Sequence, residues 1–142
     1  MSIEPWRQAA YDLLPTFRDR VDCAEDAGTL WIELWDCEVA GILDEPITEE
    51  EILSLFSYAS WCLLSRDENC QNAAIVDFYE MLPTNARIRS NLHRYLSVED
   101  FLGLKNLFED NLSEKEYLEF VEEFMNKATK EKEARAPIED EA

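Results

Sequence analysis

The sequence predicts an all-α fold, a compact single-domain array of six or seven short helices. Three observations predict it. Apolar residues recur at steps of three and four almost throughout, the spacing that lines one face of a helix. Three segments open on a hydroxyl residue followed three positions later by an acid, which marks a capped helix start. No second run alternates with the period of two that a partner strand needs, and a lone strand would leave its backbone groups unpaired. The 142 residues fit one domain. A hydrophobic content of 46%, with 7 Phe, 5 Tyr and 4 Trp, supplies a core and argues against a disordered acidic chain.

Trp6, Ala10, Leu13 and Phe17 share one helical face, and Pro15 ends or kinks that first helix near Leu14. Asp22–Thr29 reads as a polar connection. Leu30, Ile32 and Leu34 alternate, yet Leu30, Trp31, Leu34, Trp35 and Glu38 also recur at helical spacing, so a helix is expected from Leu30 to about Leu43, stopping before Pro46. Thr48 and Glu51 form a capping-box pair ahead of Ile52, Phe56, Ala59 and Leu63. Asp67–Gln71 reads as a loop. Ile75, Phe78, Tyr79 and Leu82 give the next apolar face, ended by Pro83, and a short helix is expected over Ala86–Tyr95. Ser97 with Asp100 opens a helix carrying Phe101, Leu104, Phe108 and Leu112. Ser113 with Glu116 opens the clearest amphipathic helix, with Tyr117, Phe120, Val121, Phe124 and Ala128 inward. The helical domain is expected to span 1–130, with a charged tail over 131–142.

The formal net charge is −19, unevenly spread. Residues 1–82 hold 18 acidic and 4 basic side chains, a balance of −14, while residues 83–142 hold 14 and 9, a balance of −5. No lysine precedes Lys105. From Asp19 to Glu51 twelve carboxylates oppose Arg20 alone. Such a chain repels nucleic-acid phosphates and anionic membranes, so neither is an expected partner. Self-repulsion of this density costs stability that a basic partner would relieve, and long-range attraction would speed the encounter. The residues expected to bind a partner are Asp22, Glu25, Asp26, Trp31, Glu33, Trp35, Asp36, Glu38, Asp44 and Glu45. Trp31 or Trp35 is the expected apolar anchor, one indole buried and the other at the rim. Neutralising Glu33, Asp36 and Glu38 together should slow association.

No catalytic residue, metal ligand or cofactor site is expected. One histidine, His93, is too few for a carboxylate–histidine metal site or a triad with any local signature. Three glycines form no phosphate-binding loop. Cys23, Cys37, Cys62 and Cys70 contain no C-x-x-C pair and read as reduced, partly buried thiols. Arg87, Arg89 and Arg94 are expected to pair with the protein's own carboxylates. The start Met1–Trp6 has no basic, apolar leader, and no stretch approaches the roughly 18 apolar residues of a membrane span, so a cytoplasmic protein is expected.

Leu30-Trp31-Ile32-Glu33-Leu34, Tyr58-Ala59-Ser60-Trp61-Cys62-Leu63 and Phe78-Tyr79-Glu80-Met81-Leu82-Pro83 carry a resemblance. In this order and spacing they resemble a widespread family of small bacterial proteins of unknown function. Leu96-Ser97-Val98-Glu99-Asp100-Phe101 and the closing amphipathic helix also fit, so the likeness covers roughly residues 28–125. It implies a helical fold and, more loosely, the acidic immunity-type proteins that protect bacteria from their own polymorphic toxins. It supplies no functional residues. The expected function is therefore binding and occlusion of a cationic toxin or effector domain, not catalysis. The alternative is a helical protein-interaction adaptor or scaffold, whose binding would be insensitive to salt.

Overall fold

Nine α-helices, two short 3-10 helices and no strand make up the described part of the chain, residues 3–35 and 47–134 of a computed structural model. The all-α expectation holds. Contacts within the chain gather into two units, Met1–Met81 and Leu82–Ala142.

In the N-terminal unit, α1 (Pro5–Leu13) starts on a proline, whose fixed φ suits a first helical position. It buries Trp6, Ala9 and Ala10. Pro15 ends it: Leu14 leaves the helical region at φ −123°, ψ 55°, and a 3-10 turn follows over Pro15–Phe17. Leu14 is sealed while Leu13 stays half-buried, because the turn rotates the chain there. Asp22–Thr29 is not a plain connection. It contains the end of α2 (Arg18–Cys23) and the start of α3 (Ala27–Glu33). Six residues show no readable apolar period, and α2 is instead closed from outside. Arg7 Nη1 donates to the Val21 carbonyl at 2.6 Å and Nη2 to that of Ala24 at 2.8 Å, satisfying carbonyls that a helix end leaves open. Asp26 caps α3 by accepting from the Thr29 amide at 2.8 Å.

The described part of the 30–43 segment is helical, with a wider π-type turn at Leu34 and Trp35, and its remainder lies outside the described residues. Next, α4 (Glu49–Leu63) opens with the expected capping box: the Glu51 amide donates to Thr48 Oγ1 at 3.1 Å, and the Thr48 amide to Glu51 Oε1 at 2.9 Å. The expected loop at Asp67–Gln71 is instead the first turn of α5 (Glu68–Asp77). Asp67 caps it, accepting from the Asn69 amide at 2.9 Å. The core is aromatic. Trp31 stacks on Tyr58 with ring centres 5.4 Å apart and tilts against Phe78 at 4.8 Å, while Phe56 and Trp35 meet Phe78 edge-on. The buried Tyr58 hydroxyl donates to the Trp6 carbonyl at 3.0 Å, tying α4 to α1. A 3-10 stretch, Tyr79–Thr84, follows α5.

In the C-terminal unit, α6 (Ala86–Tyr95) has the expected bounds, capped by Asn85. The apolar run after Ser97 is two helices, α7 (Val98–Gly103) and α8 (Lys105–Asn111). Gly103, the poorest helix former there, stands at the break. The last helix, α9 (Glu114–Ala134), is capped by Ser113, whose Oγ accepts from the Glu116 amide at 3.2 Å. It carries helical structure past the expected limit at 130. Four phenylalanines fill the interior: Phe101 lies parallel to Phe124 at 3.9 Å and stacks on Phe108 at 5.5 Å, and Phe120 meets both Phe101 and Phe108 edge-on. Offset and edge-on pairs of this kind add about 0.5–1.5 kcal/mol each beyond their buried area.

Candidate functional site

The N-terminal unit brings three carboxylates from separate helices to one open cleft of about 590 Å³. The turn after α1 contributes Thr16 and Phe17, α2 contributes Asp19, Arg20 and Cys23, α3 contributes Glu33, and the first turn of α4 contributes Glu51. All but Glu33 are placed by devices already described. Pro15 sets the turn, Arg7 closes α2, and the capping box holds Glu51 by its bond to the Thr48 amide. Phe17 lines the cleft although it is buried, and Arg20 sets one cation among the three carboxylates. The excess of carboxylates suits a cationic side chain.

The residues expected to bind a partner scatter more widely. Glu33 reaches this cleft. Asp26 lines a shallower groove of about 420 Å³ with Asn69, Asn72, Val76 and Asp77. Asp26 is exposed, and the Thr29 amide holds its carboxyl below the usual range, so it carries full charge at neutral pH. Asp22 is exposed and accepts from the Tyr11 hydroxyl at 2.5 Å, a bond that pushes the Tyr11 hydroxyl above its ordinary pKa. Glu25 is exposed. Asp36, Glu38, Asp44 and Glu45 lie outside the described residues.

One tryptophan was expected buried and the other at the rim, and the rim tryptophan is not found. Trp31 is 0% and Trp35 4% exposed, so neither indole offers an anchor to a partner. α3 and the wider turn that continues it are buried on Ala27, Leu30, Trp31, Leu34 and Trp35 together, and a segment covered over so much of its girth leaves no rim for an indole. The Trp31 Nε1 has no hydrogen-bond partner; the neighbouring Cys62 thiol is a weak acceptor. Trp61, half-buried and stacked on Tyr58 at 6.2 Å, is more accessible than either. Asp19 was visible only as a member of the charged stretch and Glu51 only there and in its capping box, because their convergence with Glu33 is tertiary.

Cys23 is an exposed free thiol, while Cys62 and Cys70 are buried and free. Burial pushes the Cys62 thiol up to about 11 and the Cys70 thiol up to about 12, which makes both poor nucleophiles at neutral pH. Among the described residues, no group of three or more His, Cys, Asp or Glu side chains is placed to hold a metal ion, and no helix is long and apolar enough to cross a membrane. Of the arginine cluster, Arg89 pairs with one of the protein's own carboxylates, Glu123, at 3.1 Å.

No protein-family model, curated protein or solved structure matches the chain. The segments that carry the resemblance have a clear physical role here. Trp31, Tyr58 and Phe78, one from each of the three, meet in the core of the N-terminal unit. They specify the interior, and of the cleft's residues Glu33 alone falls within one of these segments.

Proposed function

We propose that this protein binds a cationic protein partner through the acidic side of its N-terminal unit. The observation that carries the reading is the convergence of Asp19, Glu33 and Glu51 on one cleft, in a stretch of chain with a balance of −14. Glu51 is already held by its bond to the Thr48 amide, so it loses little freedom when a cation arrives. In its specific form, the reading is an immunity-type protein that blocks the basic C-terminal domain of a bacterial toxin or effector. Enzymes that act on nucleic acid expose basic surfaces of the required sign. Occluding such a surface needs no chemistry from this chain.

The test is association kinetics with a candidate partner, the basic C-terminal domain of an effector encoded beside this protein. The variant D19N/E33Q removes two charges and leaves the Glu51 capping box intact. Its association rate should fall several-fold at low salt, and its salt dependence should flatten. An unchanged rate would move the interface away from the cleft. Binding that ignores salt altogether would favour a scaffold reading, for which the Ala27, Gly28, Ala73 and Val76 floor of the shallower groove is the candidate surface.

A further inference from the structure

Beyond Phe124, no residue of α9 up to Glu133 is fully buried. That part of the helix is held to α6 by polar contacts at every fourth residue. Glu123 accepts from Arg89 Nε at 3.1 Å, Lys127 Nζ donates to the Ser90 carbonyl at 3.0 Å, and Glu131 Oε2 lies 2.9 Å from His93 Nε2. The first two groups that donate, a guanidinium and an ammonium, keep their charge through the whole neutral range. The third is the imidazole of the chain's one histidine. Its side chain is 11% exposed and that of Glu131 24%, so the pair is shielded from solvent more than a surface ion pair.

We infer that His93 and Glu131 form a proton-dependent clasp, which holds the last turns of α9 on α6 while the imidazole is charged and slackens once it is neutral. The charged groups nearby are Arg89 and Arg94 on α6, and Glu123, Lys127 and Glu131 on α9. Arg89 and Lys127 oppose a further proton, but both lie against Glu123, at 3.1 and 3.7 Å. His93 also stands in the last turn of α6, where the helix dipole favours a cation. Burial of the ring, with Nδ1 sealed from solvent, opposes the charge, but Glu131 is in direct contact with the imidazole at 2.9 Å and attraction falls with distance, so Glu131 decides the sign. The hold should therefore weaken as pH rises across the imidazole's titration.

The test follows the single histidine resonance of the full chain by NMR, in the wild type and in E131Q. The wild-type imidazole should bind its proton roughly 2–5-fold more tightly than that of E131Q, as expected for a partly shielded ion pair. Amide exchange over residues 128–134, corrected for its intrinsic pH dependence, should quicken about 2–5-fold between pH 5.5 and pH 8 in the wild type, matching the same interaction. In E131Q that step should vanish. In H93Q, which keeps a neutral donor, exchange should sit at the slack level at both pH values. Coincident titrations of wild type and E131Q, or a pH step that survives in E131Q, would overturn the clasp.

Discussion

The two units solve the same problem with different materials. The N-terminal unit packs Trp31, Trp35, Phe56, Tyr58 and Phe78 into a mixed aromatic core and buries two thiols and a tyrosine hydroxyl among them. Its joints reach far along the chain: Arg7 to Val21 and Ala24, Tyr58 to Trp6. The C-terminal unit packs four phenylalanines, buries no thiol, and ties α6 to α9 with polar contacts, the Arg89–Glu123 ion pair among them. The difference concerns charge. Where residues 83–142 use their own cations against their own carboxylates, residues 1–82 have four cations for eighteen. Stability in the N-terminal unit therefore leans on apolar burial and on hydrogen bonds such as those of Arg7 and Tyr58, because its carboxylates outnumber its cations.

The largest expected effects test whether both cores matter equally. Trp31→Ala and Phe101→Ala should each cost about 3–5 kcal/mol, the range for deleting a large aromatic from a packed interior, measured by denaturant unfolding. A much smaller loss at Phe101 would mean that the C-terminal unit rests on its ion pairs after all. Next comes Arg7→Gln. It removes a charged donor from two helix-end carbonyls and should cost about 1.5–3 kcal/mol, with faster amide exchange in α2. Alkaline pH should follow. Burial raises the Tyr58 hydroxyl and the Cys62 and Cys70 thiols, so the fold favours their neutral forms. That stability is complete below about pH 8.5, the ordinary thiol value, and is lost as pH climbs toward 11 and 12. Local exchange probes should therefore show α4 and α5 loosening above pH 9, and Tyr58→Phe should blunt the effect. Smallest is Glu123→Gln, at about 1 kcal/mol or less and declining further in high salt, the behaviour of partly exposed pairs. A salt-independent loss there would erase the contrast between the units.

Capped helices were the most legible part of the sequence. Thr48 with Glu51 and Ser113 with Glu116 form the bonds their spacing implies, because a capping box is closed within four residues and needs no tertiary help. The helix at Ala86–Tyr95 was equally readable, since it lies between Pro83 and the Ser97 cap. Helices stabilised from outside were not. The six residues of α2 depend on a guanidinium that starts 14 positions away from one of its two acceptors. The start of α5 hides behind Asp67, which serves a loop or a cap with the same carboxylate. The tryptophans show a further limit. A pair spaced by four fixes a shared face, but whether that face is core or rim depends on what packs over it. Here Tyr58 and Phe78 do. The cleft was half legible: the stretch that owns its charges could be read, while the meeting of Asp19, Glu33 and Glu51 could not.

The meeting of Trp31, Tyr58 and Phe78 separates two kinds of inheritance. Chains that keep those rings keep an interior, whatever they meet outside. Asp19 lies on the solvent side and Glu33 at a half-covered edge, so replacing either leaves that interior intact. A change in the rings reaches the whole fold, whereas a change in these carboxylates reaches its surface alone.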